Sequence, residues 1–169
     1  CGPTTRPALA SDLGLSKPTV SAAVNDLEAM GLVAQVDVVQ GTTGRAAAVY
    51  GMGRQAGFVL GVDIGVTRVR VMAADLQAKP IMVRERPRRS ANRADVKAMA
   101  TSAHLHVTAA LQELGEATGP LRSVVVGVPN TVIRRHEGGG RTSGLQGVIE
   151  AQVRQAGVPE DIPVQVENN

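Results

Sequence analysis

The chain has almost no aromatic residues. Among its 169 residues there is one Tyr, one Phe and no Trp. Tyr50 and Phe58 stand alone, so a core has to be assembled from Val, Leu, Ala and Ile. Cysteine is equally scarce. Cys1 has no partner for an internal disulfide, which fits a reducing compartment. No apolar run approaches the roughly 18–20 residues that span a bilayer. No basic segment followed by a short apolar stretch opens the chain, so the expected location is the cytoplasm. A large excess of one charge is missing too, the net value being +3.

Hydrophobic residues make up 43% and charged residues 20% of the chain, values of an ordinary globular protein. The distribution of charge is more telling than its sum. Residues 1–57 carry Arg6, Lys17, Arg45 and Arg54 against Asp12, Asp26, Glu28 and Asp37, so this part is neutral. The basic excess follows later, largely in Arg84, Arg86, Arg88, Arg89 and Arg93. Overall basicity is therefore a poor argument for nucleic-acid binding. The chain begins at Cys1 and ends on Glu-Asn-Asn169 just past an apparent strand, which reads as truncation at both ends.

Local signals predict two domains, residues 1–53 and 58–169. In the first, Thr5 is placed to cap a short helix with Pro7 in its first turn. Leu9 and Leu13 fall on one face of that helix. Gly14 supplies a turn, and Ser16 caps a second helix with Pro18 near its start. Val20, Val24 and Leu27 then recur at i, i+4 and i+7, a core stripe, and Gly31 ends the helix. Helix, glycine turn and capped helix make a helix-turn-helix. Lys17, Pro18, Thr19, Ser21, Ala22 and Asn25 form its outer side, a set of small or polar groups suited to a major groove. A strand at Leu32–Val39, a turn at Gln40–Arg45 and a return strand at Ala46–Met52 predict a wing, with Arg45 at its tip for a phosphate or the minor groove.

The second domain opens with VLGVDIG, residues 59–65, whose near-continuous apolar run predicts a strand buried on both faces. Asp63, the Gly65 turn and Thr67 follow, then an antiparallel return strand to Asp75. Such a hairpin offers a hydroxyl and backbone N–H groups to a phosphate. Further strands are expected at Pro80–Arg86, Ser123–Pro129 and Pro163–Glu167. A long helix over Asp95–Gly115 has Val96, Met99, Ala100, Ala103, Val107, Ala110, Leu111 and Leu114 on its inner side. Gly138–Gly147 reads as a loop and Val148–Ala156 as a short helix. The stretch Arg84–Arg93 reads as a solvated strand-to-helix loop. His104 and His106, two apart on a helix, point to different faces and make a poor metal pair, and His136 has no neighbour in sequence.

Taken together these stretches resemble the ROK family of repressors, open reading frames and sugar kinases. SKPTVSAAVNDLEAMGLV resembles its recognition helix and the start of the wing. GVDIGVTRVRVMAADL resembles its DxGxTxxxxxxxDL phosphate motif, on Asp63, Gly65 and Thr67. VVVGVP resembles the strand leading to its second glycine turn. PVQVENN resembles its VENDAN segment, which places Glu167 and Asn168 as sugar contacts. The resemblance implies an α/β chain: a winged helix-turn-helix, then one lobe of a ribonuclease-H-like, actin-like ATPase fold.

The departures bear on chemistry. Val66 stands where the kinases have a second glycine, and Gln77-Ala78 follow the Asp-Leu pair in place of a glycine. Asn130-Thr131 replace a Gly-Pro, and Asn169 occupies the place of the general base, which an amide cannot be. No catalytic residue is therefore assigned. A transcriptional regulator, usually a repressor, is implied. Its partners would be double-stranded DNA, a sugar or sugar-derivative effector and further copies of itself in a homodimer or homotetramer. The chain itself implies no cofactor; a structural zinc would belong to a second lobe. An ATP-dependent sugar kinase keeping a DNA-binding head is the competing reading.

Overall fold

The computed structural model describes residues 2–40, 46–88, 95–129 and 142–168. The chain divides into two compact units, Cys1–Gly57 and Phe58–Asn169.

The first unit begins with a two-residue strand, β1 (Thr4–Thr5), which runs directly into α1 (Arg6–Leu13). Thr5 accepts a hydrogen bond from the Ala8 backbone N–H, and Gly14 closes the helix at φ 63°. α2 (Lys17–Ala29) is capped by Ser16, and β2 (Val33–Gln40) and β3 (Ala46–Met52) form the wing hairpin. The strand order is β1-β3-β2, all antiparallel, with Thr4 opposite Tyr50 and Gln40 opposite Ala46. The Thr4–Thr5 pairing extends the wing to a third strand that composition does not signal.

The core of this unit is small. Ala10, Val20 and Val24 are buried, with Leu9, Val33 and Tyr50 packed against them. Leu13 and Leu27, expected on the inner stripes, are 62% and 38% exposed. Leu13 is the last residue of α1, where Gly14 turns the chain away. The residues around Val20 and Val24 stop short of Leu27, one turn further on. Arg6 joins three elements: its guanidinium lies 4.7 Å from the Tyr50 ring centre and 3.4 Å from the Glu28 carboxylate. Gly53 is required by a close approach, because a Cβ there would sit 2.1 Å from the Gly31 carbonyl oxygen.

The second unit is a five-stranded sheet with two helices. β4 (Phe58–Ile64), β5 (Arg68–Asp75) and β6 (Pro80–Pro87) form an antiparallel meander. α3 (Val96–Leu114), capped by Asp95, crosses to β7 (Leu121–Val128), parallel to β4. α4 (Thr142–Gln155) then leads to β8 (Val164–Asn168), parallel to β7. The order is β6-β5-β4-β7-β8.

Alternation sorts the central strands β4, β5 and β7. Phe58, Leu60, Val62 and Ile64 on β4, Val69 and Val71 on β5, and Val124, Val126 and Val128 on β7 pack with Met99, Ala103, Val107, Ile149 and Val153 of the helices. Burying each of these Val, Leu or Ile side chains contributes roughly 1.5–3 kcal/mol. All eight inner positions expected on α3 belong to this core or pack against it.

The sheet is not buried on both faces as its apolar run predicted. Val59 and Gly61 are half-buried and Asp63 is exposed, because among the described residues both helices cover the same face. The helix expected from Val148 starts at Thr142, within the stretch expected as a loop. Gly144 and Gly147 lie exposed on its outer side, while Ile149 and Val153 anchor it to the core. Tertiary packing there outweighs the low helix propensity of glycine.

Candidate functional site

Two surfaces collect the residues singled out by sequence, one in each unit. The first is α2. Its orientation follows from the buried stripe Val20–Val24, which turns Pro18, Ala22 and Asn25 to the opposite, exposed side. Lys17 and Thr19 are also exposed, and Ser21 is half-buried. Ser16 Oγ accepts from the Thr19 backbone N–H at 3.2 Å, and the Ser16 and Thr19 hydroxyls lie 2.7 Å apart. Thr19 thus spends its hydroxyl on the cap. The Arg6–Glu28 pair offsets one of the two acids near the C-terminal end of α2. Arg45 lies outside the described residues, as do Arg89, Arg93, Asn130, Thr131, His136 and Asn169.

The second surface is the open face of the five-stranded sheet. Register puts five residues on one row across all the strands: Glu85, Arg70, Asp63, Gly127 and Glu167. Asp63 and Glu167 come from motifs far apart in the chain, and Gly127, without a side chain, separates them. Charge alternates at one end of the row. Arg70 lies 3.9 Å and Arg68 3.2 Å from the Glu85 carboxylate. A depression of about 480 Å³ covers the row from Arg70 to Glu167 and the apolar one behind it, with Asp63, Arg70, Met72, Val83, Val125 and Glu167 in its lining. Carboxylates beside an apolar floor suit a polyhydroxy ligand, whose O–H groups donate while its C–H faces rest on the floor.

A second depression of about 630 Å³ shares Asp63 and Arg70 and continues over Gly65, Val66, Thr67, Arg68 and Pro129. This is the mouth of the β4–β5 hairpin. Gly65 is favoured here by proximity, since a Cβ would stand 3.0 Å from the Arg68 carbonyl oxygen. Asn168 ends β8 opposite Val128, on the same edge of the sheet as Glu167.

Arg88 is a functional neighbour that spacing could not reveal. Its backbone N–H donates to the Thr67 carbonyl at 2.8 Å, and its Nη1 donates to the Gly65 carbonyl at 3.3 Å. The end of β6 thus clamps the hairpin turn. Burial pulls this guanidinium below its usual range, and the Asp95 carboxylate opposes that shift. Arg84 and Arg86 fall within the strand expected at Pro80–Arg86 and belong to β6 on the helix side, not to the loop expected over Arg84–Arg93. Arg84 pairs with Glu113, while Arg86 lies near His106 and, with burial, lowers its pKa. His104 Nδ1 meets the Gln152 carbonyl at 3.0 Å, which accounts for it structurally. Among the described residues no three His, Cys, Asp or Glu side chains are grouped to hold a metal ion.

A family model described as winged helix-turn-helix DNA-binding matches residues 1–34. The fold of the chain is similar to that of a solved ROK family transcriptional regulator. Over 80 residues it is 32% identical to the xylose repressor of Bacillus spizizenii, a match covering 47% of this chain and 21% of that protein. The crystal structure of a ROK family transcriptional regulator, a homologue of the E. coli MLC protein, matches with a TM-score of 0.54 and 14% identity. That match covers 97% of this chain and 41% of the other. The first of these proteins is matched over about a fifth of its length and the second over less than half. At 14% identity the solved structure speaks for the fold: a winged helix-turn-helix followed by a ROK-type α/β lobe.

Proposed function

We propose that this chain is the DNA-binding head and first effector lobe of a sugar-responsive transcriptional repressor. The observation that carries the proposal is the order of its parts. A winged helix-turn-helix, whose capped α2 has a small, exposed outer side, precedes a ROK-type lobe whose open sheet face gathers Asp63 and Glu167 over one depression. The repressor relative supports repression as the output. Its name, xylose repressor, supports a sugar or sugar derivative as the class of effector.

In this reading α2 enters the major groove of double-stranded DNA, with Lys17 on a phosphate and the wing reaching the adjacent backbone. The unit Cys1–Gly57 is neutral in sequence, so one head attracts DNA weakly. A homodimer or homotetramer presenting two heads to two half-sites supplies the missing affinity. Effector binding at Asp63 and Glu167 changes the spacing of those heads. No helix among the described residues is long and apolar enough to cross a membrane; duplex DNA as partner supports a cytoplasmic location.

Phosphate transfer has less support. Val66 puts a β-branched side chain into the hairpin mouth, where a phosphate would have to come close. The test of the repressor reading is a mobility shift of duplex DNA selected from a random library by the whole chain. Retention of a defined sequence, weakened by Lys17→Ala, is expected. A chain that selects no sequence would refute the reading.

A further inference from the structure

We infer that α2 reads A·T base pairs, with Asn25 as the residue that recognises adenine and Pro18 and Ala22 as the surface that meets thymine methyl groups. The inference rests on the DNA-binding reading above and specifies what that surface binds.

The buried stripe fixes which residues can reach a base. Val20 and Val24 are 4% and 5% exposed, so the opposite side of α2 is fully determined. Pro18, Ala22 and Asn25, spaced i, i+4 and i+7, occupy it, and all three are exposed. Two of them are small and apolar, which lets the helix approach closely and leaves methyl contacts as their only means of discrimination. In the major groove only thymine offers a methyl group.

The polar groups narrow the choice further. Thr19's hydroxyl is held against Ser16 at 2.7 Å, and Ser21 is half-buried. Lys17 stands at the first residue of α2, to one side of the Pro18–Ala22–Asn25 stripe, in a position for a phosphate. That stripe holds no Arg or Lys, the side chains that read guanine through O6 and N7. Asn25, at the C-terminal end of the stripe, is its one polar side chain. No hydrogen bond engages its amide among the described residues. A carboxamide presents one donor and one acceptor side by side, the complement of adenine's N7 acceptor and N6 donor. The neutrality of the unit adds weight, because weak attraction to phosphates leaves more of the affinity to base contacts.

The test uses the whole chain and a randomised duplex library, selected in parallel by the wild type and by Asn25→Ala. The enriched wild-type half-site is then remade with 7-deazaadenine at each adenine in turn and with uracil at each thymine. At one adenine per half-site, loss of N7 should weaken wild-type binding about ten-fold, within the range of a single bidentate base contact. Asn25→Ala should be indifferent to that replacement and should have lost the preference for adenine there. Uracil at a neighbouring position should weaken both proteins several-fold. The modified DNA is probed with unaltered protein, so this arm stands whatever the substitution does to folding. If every adenine tolerates 7-deaza replacement, or Asn25→Ala selects the same half-site, the inference is wrong while DNA binding survives. If the wild type enriches no sequence, the DNA-binding reading falls and the inference with it.

Discussion

Asp63 and Glu167 lie on one cross-strand row of the sheet, with Gly127 alone between them. Two strand spacings separate their backbones by about 10 Å. About a hundred residues of chain separate them in sequence. Both side chains face the depression on the open side, because Val62, Ile64, Val126 and Val128 take the alternate positions into the core.

That geometry makes Gly127 a sensitive point. A side chain at 127 would project into the gap between the two carboxylates. A sugar that raises the melting temperature of the wild type should lose ten-fold or more in affinity with Gly127→Val, and comparably with Asp63→Asn. Selected operator DNA should still bind both variants. Undiminished sugar affinity in both would move the effector site elsewhere.

Lys17→Ala should weaken operator binding about equally across sequences. It should also lower the slope of log affinity against log salt by about one, the signature of one lost phosphate contact. A slope identical to the wild type would remove Lys17 from the interface.

A coupled ADP-release assay across common hexoses and amino sugars should register no turnover above the buffer rate. Val66, with a β-branched side chain, lines the hairpin mouth that ATP phosphates would need. Turnover abolished by Asp63→Ala would establish a kinase and overturn the regulator-only reading.

Two substitutions test how the winged helix is held. Gly53→Ala places a Cβ against the Gly31 carbonyl oxygen, a backbone atom that cannot yield, and should cost about 1–3 kcal/mol. Arg6→Ala removes the contact with Tyr50 and the pair with Glu28, at about 1 kcal/mol. Urea titrations of both variants should fall in that order.

His106 makes stability depend on pH in a defined direction. Burial, and then the nearby Arg86, lower its pKa from the ordinary 6.5. The unfolded chain therefore takes up a proton near pH 6.5 while the folded chain does not. Stability from this site is complete above that pH and declines as pH falls through it toward the lower folded value. Arg84 and Glu113, which pair with each other, line the same small cavity. His106→Gln should flatten the acid limb of a stability–pH curve; an unchanged limb would assign it to other groups.

Much of this protein was legible from local sequence. The capping of α1 by Thr5 and α2 by Ser16, the Val20–Val24 stripe, the β3 boundaries and the eight inner positions of α3 all follow from short-range signals. Those signals work because a helix or strand repeats its side-chain direction every few residues, whatever the rest of the chain does. Where packing competes with local preference the reading faltered. Thr142–Gly147 is helical because Ile149 and Val153 hold it on the sheet. Leu13 and Leu27 carry the right period and lack a neighbour to bury them.

The candidate site belongs to the other category. Sequence alone named Asp63, Gly65, Thr67, Glu167 and Asn168, and it determined that a winged helix precedes an α/β lobe. It could not align Glu85, Arg70, Asp63, Gly127 and Glu167 in one row, leave one face of the sheet open, or bring Arg88 back to clamp the Gly65 turn. Those relationships depend on strand order and register. Pairing between strands from distant parts of the chain is set by the packing of the whole core, and no local window contains that information.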